Sequence, residues 1–395
     1  MSKTKQNKWV VCFSGYWNDS SIYAIGQIVL KYKEDGHTIL WVNSIPNRGV
    51  FSGKGKSAGN KLGAIKRYWS KLLAMLTPLR KKEEGFYIFT PIFLPWLENK
   101  NIVYINDLFV KTQLKIIFLF LNIKDFILAS SSMMNTPFYF KDKKYKYYFH
   151  YAADLYSDYR DASAFIKEKM LKREDEIFDF TDKIFAVSQA ILTKVAKRVK
   201  DKDKIIYLPH GVEFEHFNKK RTISPVISVI KSPIIGYFGS LTNTNDKDAV
   251  LKLAQNGFSV VLIGHVGGDY EECKKNPNVH FLGPIPYPDL PDYAQGFDAC
   301  LLNWEMAEWI KNCNPKKTYE YLAMGKPIVS CRIPEIEYRL GDMIYYANTS
   351  DDYVTSAKKA LAEDSADKIL ERIEIAKKED WAYKYLIVKS TFNIN

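Results

Sequence analysis

At 395 residues the chain is long for one hydrophobic core and fits two domains of ordinary size. Its 47% hydrophobic and 26% charged residues exclude a disordered or fibrous protein, and five scattered cysteines exclude a disulfide framework and suit a reducing compartment. A net charge of +12 favours an anionic partner, without choosing among nucleic acid, acidic lipid and a nucleotide-linked substrate.

The basic start is followed by an apolar run that stops at Phe13, too short for the core of a signal peptide. That run, Trp9 to Ser14, reads as a buried strand, followed by the loop Gly15-Tyr16-Trp17-Asn18-Asp19-Ser20 and a helix from about Ile22. A strand-loop-helix start places a ligand loop at the carboxyl edge of a parallel sheet, so Gly15, Tyr16 and Asn18 are candidate contacts. Further strands are expected at 37–42, 86–89, 102–105, 126–129, 145–151, 183–187 and 204–207, with a helix over 164–178. The longest wholly apolar run, Ile116 to Leu121, is far shorter than the roughly 20 residues a bilayer span needs, so a cytoplasmic protein is expected.

After a mixed linker at 218–232, a second set of strands begins at 233–238 and turns at Gly239-Ser240. Glycine there lets a diphosphate approach the backbone, and Ser240 offers a hydroxyl. A strand at 259–263 ends in Gly264-His265, and others follow at 279–282 and 297–302. Residues 373–392 carry a helical pattern interrupted at Asp380-Trp381.

The richest stretch is Asn314-Pro315-Lys316-Lys317-Thr318-Tyr319-Glu320-Tyr321-Leu322-Ala323-Met324-Gly325-Lys326-Pro327. Pro315 suits the first helical position, where the N–H groups of the opening turn form a site for anionic oxygen, and Lys316 and Lys317 add positive charge. Glu320 lies one turn after Lys317 on the same face. Gly325 ends the helix and Pro327 prevents its continuation.

This stretch resembles the nucleotide-binding motif of bacterial GT-B-fold glycosyltransferases of exopolysaccharide and teichuronic-acid assembly, Asn-Pro-x-Lys-x-Tyr-Glu-Tyr-Leu-Ala-x-Gly-Lys-Pro, at every fixed position. The run from Thr181 to Ser188 and the loop Pro209-His210-Gly211-Val212 are similar to that family's domain boundary, with His210 where asparagine is usual. The resemblance implies an α/β protein of two Rossmann-like domains with parallel sheets facing across a cleft. Residues 1–215, completed by a C-terminal helix at 381–395, would bind the acceptor through the first loop, and 216–380 the nucleotide sugar. Lysine 317 would approach the donor phosphates and Glu320 the ribose, with Gly239, Ser240, Gly264, His265, Asn314, Pro315, Lys316 and Thr318 around them.

Inverting glycosyl transfer needs a base for the attacking hydroxyl. The resemblance puts Asp154 at the position where these enzymes carry an aspartate; its ordinary use would be a helix cap. Asp19, which reads more simply as a cap, and His150, more simply as a structural histidine, are the other candidates. A retaining Glu-x7-Glu pair is absent, because Asn312 stands eight residues before Glu320. No metal cluster is evident, Asp246 and Asp248 reading as a solvated helix start, and the resemblance implies no tightly bound metal or other cofactor. Gly53-Lys54-Gly55-Lys56-Ser57 lacks the earlier glycine of a phosphate-binding P-loop and reads as a basic loop.

Residues 61–82 place Leu62, Ile65, Trp69, Leu72, Leu73, Leu76 and Leu79 at helical spacing among lysines and arginines. Core burial is the default use of such a stripe, and contact with an anionic membrane surface the alternative. No nucleic-acid recognition motif accompanies the charge. The expectation is a glycosyltransferase passing sugar from a nucleotide-sugar donor to a saccharide or lipid-linked acceptor, on the inner face of the plasma membrane. A GT-B nucleotide-sugar epimerase or hydrolase and a non-catalytic partner of another transferase are the alternatives.

Overall fold

A computed structural model describes residues 8–18, 23–45, 77–94, 96–97, 99–142, 144–155 and 164–393. By contacts the chain divides into two units, Met1–Leu208 with Phe392–Asn395, and Pro209–Thr391.

The first unit is built on an eight-stranded sheet ordered β3-β4-β2-β1-β5-β6-β7-β8. The strands are β1 (Trp9–Ser14), β2 (Thr38–Asn43), β3 (Leu79–Glu83), β4 (Phe86–Phe89), β5 (Phe126–Ser130), β6 (Tyr148–Ala152), β7 (Lys183–Ala186) and β8 (Ile205–Tyr207). Only the β3–β4 pair is antiparallel. Every residue of β1, β5 and β6 is buried, as continuous apolar runs in a parallel sheet covered on both faces require. Helix α1 (Ala24–Glu34) follows β1, α2 (Lys100–Phe120) precedes β5, and α3 (Ala164–Phe180) links β6 to β7.

Two expectations change here. Residues 102–105 are helical rather than a strand: the Asn99 side chain accepts from the N–H groups of Asn101 and Ile102, and Asn106, Val110, Leu114 and Ile117 are buried at helical spacing. The β-branched run at Ile102-Val103 misled because tertiary packing overrides strand propensity. The end of the supposed 61–82 helix is the edge strand β3, whose Arg80, Lys81 and Lys82 are exposed; residues 61–76 and the basic loop at 53–57 lie outside the described residues.

The second unit holds a wholly parallel six-stranded sheet ordered β11-β10-β9-β12-β13-β14. Its strands are β9 (Ile234–Phe238), β10 (Ser259–Ile263), β11 (Val279–Gly283), β12 (Ala299–Leu302), β13 (Ile328–Cys331) and β14 (Tyr345–Ala347). Alternate residues feed two cores: Ile234, Phe238 and Val261 pack on one face, Ile235, Tyr237 and Val260 on the other. The main helices are α4 (Lys247–Gln255), α5 (Lys316–Ala323), α6 (Ser350–Ala362), α7 (Ala366–Lys378) and α8 (Trp381–Thr391). Asp246 caps α4, accepting from the Ala249 N–H.

Helix α8 groups with this second unit rather than the first. Its start is tied to the loop after β8, where the Val212 N–H donates to Glu379 O at 3.0 Å and the Trp381 N–H to Val212 O at 3.1 Å. Phe392 belongs with the first unit, stacked on Tyr147 at 3.9 Å.

In both sheets the strand order reverses beside the first strand, between β1 and β5 in one and between β9 and β12 in the other. Ligands of open α/β sheets bind outside the carboxyl ends of the strands at such a reversal.

Candidate functional site

At the reversal of the second sheet, β9 ends in Gly239 and β10 in Gly264. Gly239 has φ +136° and Gly264 φ +143°. A Cβ on Gly264 would stand 1.9 Å from Gly239 O, and one on Gly239 would stand 2.4 Å from Lys317 Nζ. Both positions therefore require glycine. Ser240 and His265 follow them and are exposed.

Helix α5 points its first turn at this pair. Pro315, with φ −69° and ψ 117°, is the flanking residue rather than the first helical one, and no side chain caps the turn. Lys317 Nζ donates to the Tyr237 hydroxyl at 2.9 Å and sits 4.2 Å from the Tyr237 ring centre and 5.1 Å from that of Trp304. Burial pushes the Tyr237 hydroxyl up, but Lys317, with Asn245 and Trp304, outweighs it and leaves the pKa below its ordinary value. The Tyr321 hydroxyl accepts from the Phe238 N–H at 3.2 Å, tying α5 to the end of β9.

Glu320 is only 5% exposed. Burial raises its pKa, the Lys316 and Lys317 ammonium groups oppose that, and the Glu213 carboxylate adds to it. Tyr287 donates to Glu320 at 3.5 Å, and its own pKa is driven far up by burial and by Glu320 and Glu213. Asn314 is buried against the Tyr319 hydroxyl, and the Thr318 hydroxyl is buried with no hydrogen-bond partner. His210 is buried, and desolvation, with Lys316 and Lys384 nearby, lowers its pKa to about 3. It is a neutral imidazole.

At the reversal of the first sheet lies a cavity of about 270 Å³, lined among others by Ser14, Gly15, Ser44, Ser131, Ser132 and Asp154 and by the start of α1. Asp154 sits at its exposed rim, yet enough protein surrounds the carboxyl that desolvation raises its pKa to about 6. A Cβ on Gly15 would meet the outer end of the Tyr23 ring at 2.3 Å, so a larger residue there would displace that half-exposed side chain. Tyr16 is half-buried, its hydroxyl pKa raised by burial, and Asn18 is exposed. Asp19 lies outside the described residues. His150 does not line the cavity: it is buried in β6 with Nδ1 2.8 Å from Ser130 Oγ, and burial lowers its pKa to about 3. That environment suits a structural, neutral histidine.

The structure thus gathers Gly239, Gly264, Lys317 and Glu320 at one sheet edge and Gly15 and Asp154 at the other. Sequence reading missed Tyr237, Trp304, Tyr287 and Glu213. Trp304 lies just past β12, and its place beside the strand-order reversal was the available signal; Tyr237 was hidden inside an apolar strand. Among the described residues no group of three or more His, Cys, Asp or Glu side chains is gathered as a metal site.

No protein-family model matches the chain. Over 232 residues it is 25% identical to the Bacillus subtilis (strain 168) protein "Putative teichuronic acid biosynthesis glycosyltransferase TuaH", a match covering 55% of this chain and 58% of that protein. The chain therefore spans a little under three-fifths of that relative. Among solved structures it is similar to sucrose-phosphate synthase from Thermosynechococcus elongatus, with a TM-score of 0.66 at 12% identity over 98% of both chains. It is also similar to Anabaena HepE in complex with UDP and glucose, with a TM-score of 0.64 at 12% identity over 98% of this chain and 99% of the other. An E. coli trehalose-6-phosphate protein bound with UDP-2-fluoro glucose gives 0.64 at 12% identity, over 98% and 99%. At these identities the likeness establishes the fold, which is GT-B.

Proposed function

We propose that the chain is a glycosyltransferase that moves a sugar from a nucleotide-sugar donor to a saccharide or lipid-linked saccharide in cell-surface polysaccharide synthesis. The carrying observation is the pair of obligatory glycines at a strand-order reversal, with Lys317 and Glu320 on the first turns of the facing helix. In this reading the second unit holds the donor. Lys317 and the first-turn N–H groups of α5 offset the diphosphate charge, and Glu320 accepts hydrogen bonds from the ribose hydroxyls. UDP is the nucleotide to test first, since HepE and the E. coli protein carry it.

The first unit holds the acceptor in the Asp154 cavity. Asp154 takes the proton of the acceptor hydroxyl as that oxygen bonds to the anomeric carbon, and the bond from that carbon to the nucleoside diphosphate breaks. A single displacement of this kind inverts the anomeric configuration. The chemistry asks for no tightly bound metal, and we place the protein at the inner face of the plasma membrane. Among the described residues no helix is long and apolar enough to cross a membrane.

The test is to screen UDP-sugars by thermal shift, then to follow UDP release with and without saccharide acceptors. Acceptor-dependent release with an inverted product supports the reading. Isomerised or hydrolysed donor without acceptor would make the protein an epimerase or hydrolase, and binding without turnover a non-catalytic partner.

A further inference from the structure

Helix α2 is apolar on two faces, and only one of them is used. Val110, Leu114, Ile117 and Phe118 are buried against the first unit. On the other side Tyr104, Ile105, Leu108 and Phe109 and, beyond the exposed Thr112, Ile116, Leu119 and Phe120 form two apolar clusters on one side of the helix, with Ile116, Leu119 and Phe120 exposed by 61%, 82% and 77%. Single exposed apolar residues are ordinary, whereas two such clusters on one side of a helix, between Tyr104 and Phe120 and spanning about 25 Å, mark a surface that something covers. Trp96, whose carbonyl accepts from the N–H of the α2 cap Asn99 at 3.3 Å, is 59% exposed; the segment before it is pinned along α2 by Ile92 N–H to Gln113 Oε1 at 3.0 Å and Leu94 N–H to Asn106 Oδ1 at 2.7 Å.

The charge around these clusters selects the occupant. Lys100, Lys111 and Lys115 lie on α2 and Lys124 just beyond it. The helix's one acid, Asp107, faces inward and is bound to Arg173 at 2.6 Å. Nearby Asp125 and Asp142 are exposed, and Asp142 stands 3.7 Å from Lys111. Lys111 is engaged with Asp142 and the Phe138 ring, but a purely apolar partner would bring no anionic group to the exposed Lys115 and Lys124, and a second copy would bring more cations than anions. Large aliphatic and aromatic side chains flanked by lysines match the boundary between acyl chains and anionic headgroups.

We propose that the outer face of α2, with Trp96, docks this protein on an anionic bilayer. This moves the expected membrane contact away from residues 61–82. Met133 lines both the recess beneath α2, beside Asp107, and the Asp154 cavity, so the docking face and that cavity belong to neighbouring parts of one unit. Delivery of a lipid-linked acceptor to that cavity rests on the function proposed above; bilayer docking does not.

The experiment is flotation of the full chain with vesicles of phosphatidylcholine alone or with phosphatidylglycerol. Wild type should float with the anionic vesicles and stay behind with the neutral ones. The double variant Leu119→Glu/Phe120→Glu should lose roughly tenfold or more of that partition with an unchanged melting temperature, because both side chains are exposed. Charge reversal at Arg80, Lys81 and Lys82 should leave most of the binding. Undiminished flotation of the Leu119/Phe120 variant, equal binding to neutral vesicles, or loss of binding only in the 80–82 variant overturns the proposal. A wild-type dimer that the double variant makes monomeric, with no vesicle binding by either, overturns it in favour of self-association. Asp154→Asn should float as wild type does even where turnover is lost, which separates failure of docking from failure of the transferase reading.

Discussion

The two units offer the same scaffold feature, a reversal of strand order with a carboxyl group beside it, and give that group different company. Glu320 is buried beside Lys316, Lys317 and the Tyr287 hydroxyl. Asp154 stands at the mouth of a hydroxyl-lined cavity, where desolvation is the cause of its shift to about 6. A carboxylate set among cations and a hydroxyl donor is built to hold a polar ligand beside an anion. Burial raises both carboxyls, but only at Glu320 do cations oppose the shift; one raised toward neutrality without a countercharge is built to exchange a proton.

The widest break in that comparison comes from Asp154→Asn. Turnover should fall by about 10²–10⁴-fold, with UDP affinity unchanged by calorimetry. In the wild type the rate should rise with pH through about 6 as the carboxyl loses its proton. The folded pKa lies above the 3.8 of an unperturbed aspartate, so the folded protein binds the extra proton between those values and stability falls as pH rises through them. Asp154→Asn should therefore melt no lower than wild type at pH 7. An aspartate whose use is helix capping would instead leave turnover normal, since asparagine caps a helix about as well. Next in size, Glu320→Gln should weaken UDP binding by roughly 10- to 100-fold, because a charged acceptor is replaced by a neutral amide. Unchanged affinity would remove Glu320 from the donor site.

The motif from Asn314 to Pro327 made the second unit legible because its chemistry is local: lysine, glutamate and glycine stop are fixed by helical spacing alone. Partners arriving from distant strands were not legible. Tyr237, Tyr287 and Glu213 meet α5 only once the chain is folded, and nothing in their own neighbourhoods marks them; for Trp304 the position just past β12 was the one signal. The strands β1, β5, β9 and β10 were readable as apolar runs bounded by turns, while the tyrosine- and isoleucine-rich start of α2 was not, since there it buries Asn106 and Asp107 and exposes Tyr104, Ile105 and Leu108, the reverse of the pattern that identifies a surface helix. The placement of α8 escaped for a different reason: its link to Val212 is a backbone bridge, which carries no side-chain signature.

The glycine pair sharpens the comparison within the second unit. In Gly264→Ala the new methyl meets a backbone carbonyl at 1.9 Å, which cannot move without disrupting β9, and the backbone itself is in the left-handed region. A loss of about 3 kcal/mol, read as a lowered midpoint in urea, is expected. In Gly239→Ala the backbone is strained in the same way, but the steric obstacle is the far end of Lys317, which can swing aside, so stability should fall less and UDP affinity should fall with the displaced ammonium group.

The smallest effect concerns the two buried histidines, one in each unit, both lowered to about 3 by burial. Unfolding releases them to protonate near 6.5, so the unfolded chain binds more protons between those values, and stability drops as pH falls below 6.5. Each should account for on the order of 2 kcal/mol of lost stability at pH 5. His150→Gln and His210→Asn should accordingly flatten the fall of the melting temperature between pH 7 and pH 5 relative to wild type. His150→Gln should also keep turnover at pH 7 within a few-fold, because a neutral imidazole held by Ser130 and absent from the cavity lining has no acceptor proton to take. Collapse of the rate in that variant, with its melting profile unaltered, would instead make His150 the base and leave Asp154 an accessory to it.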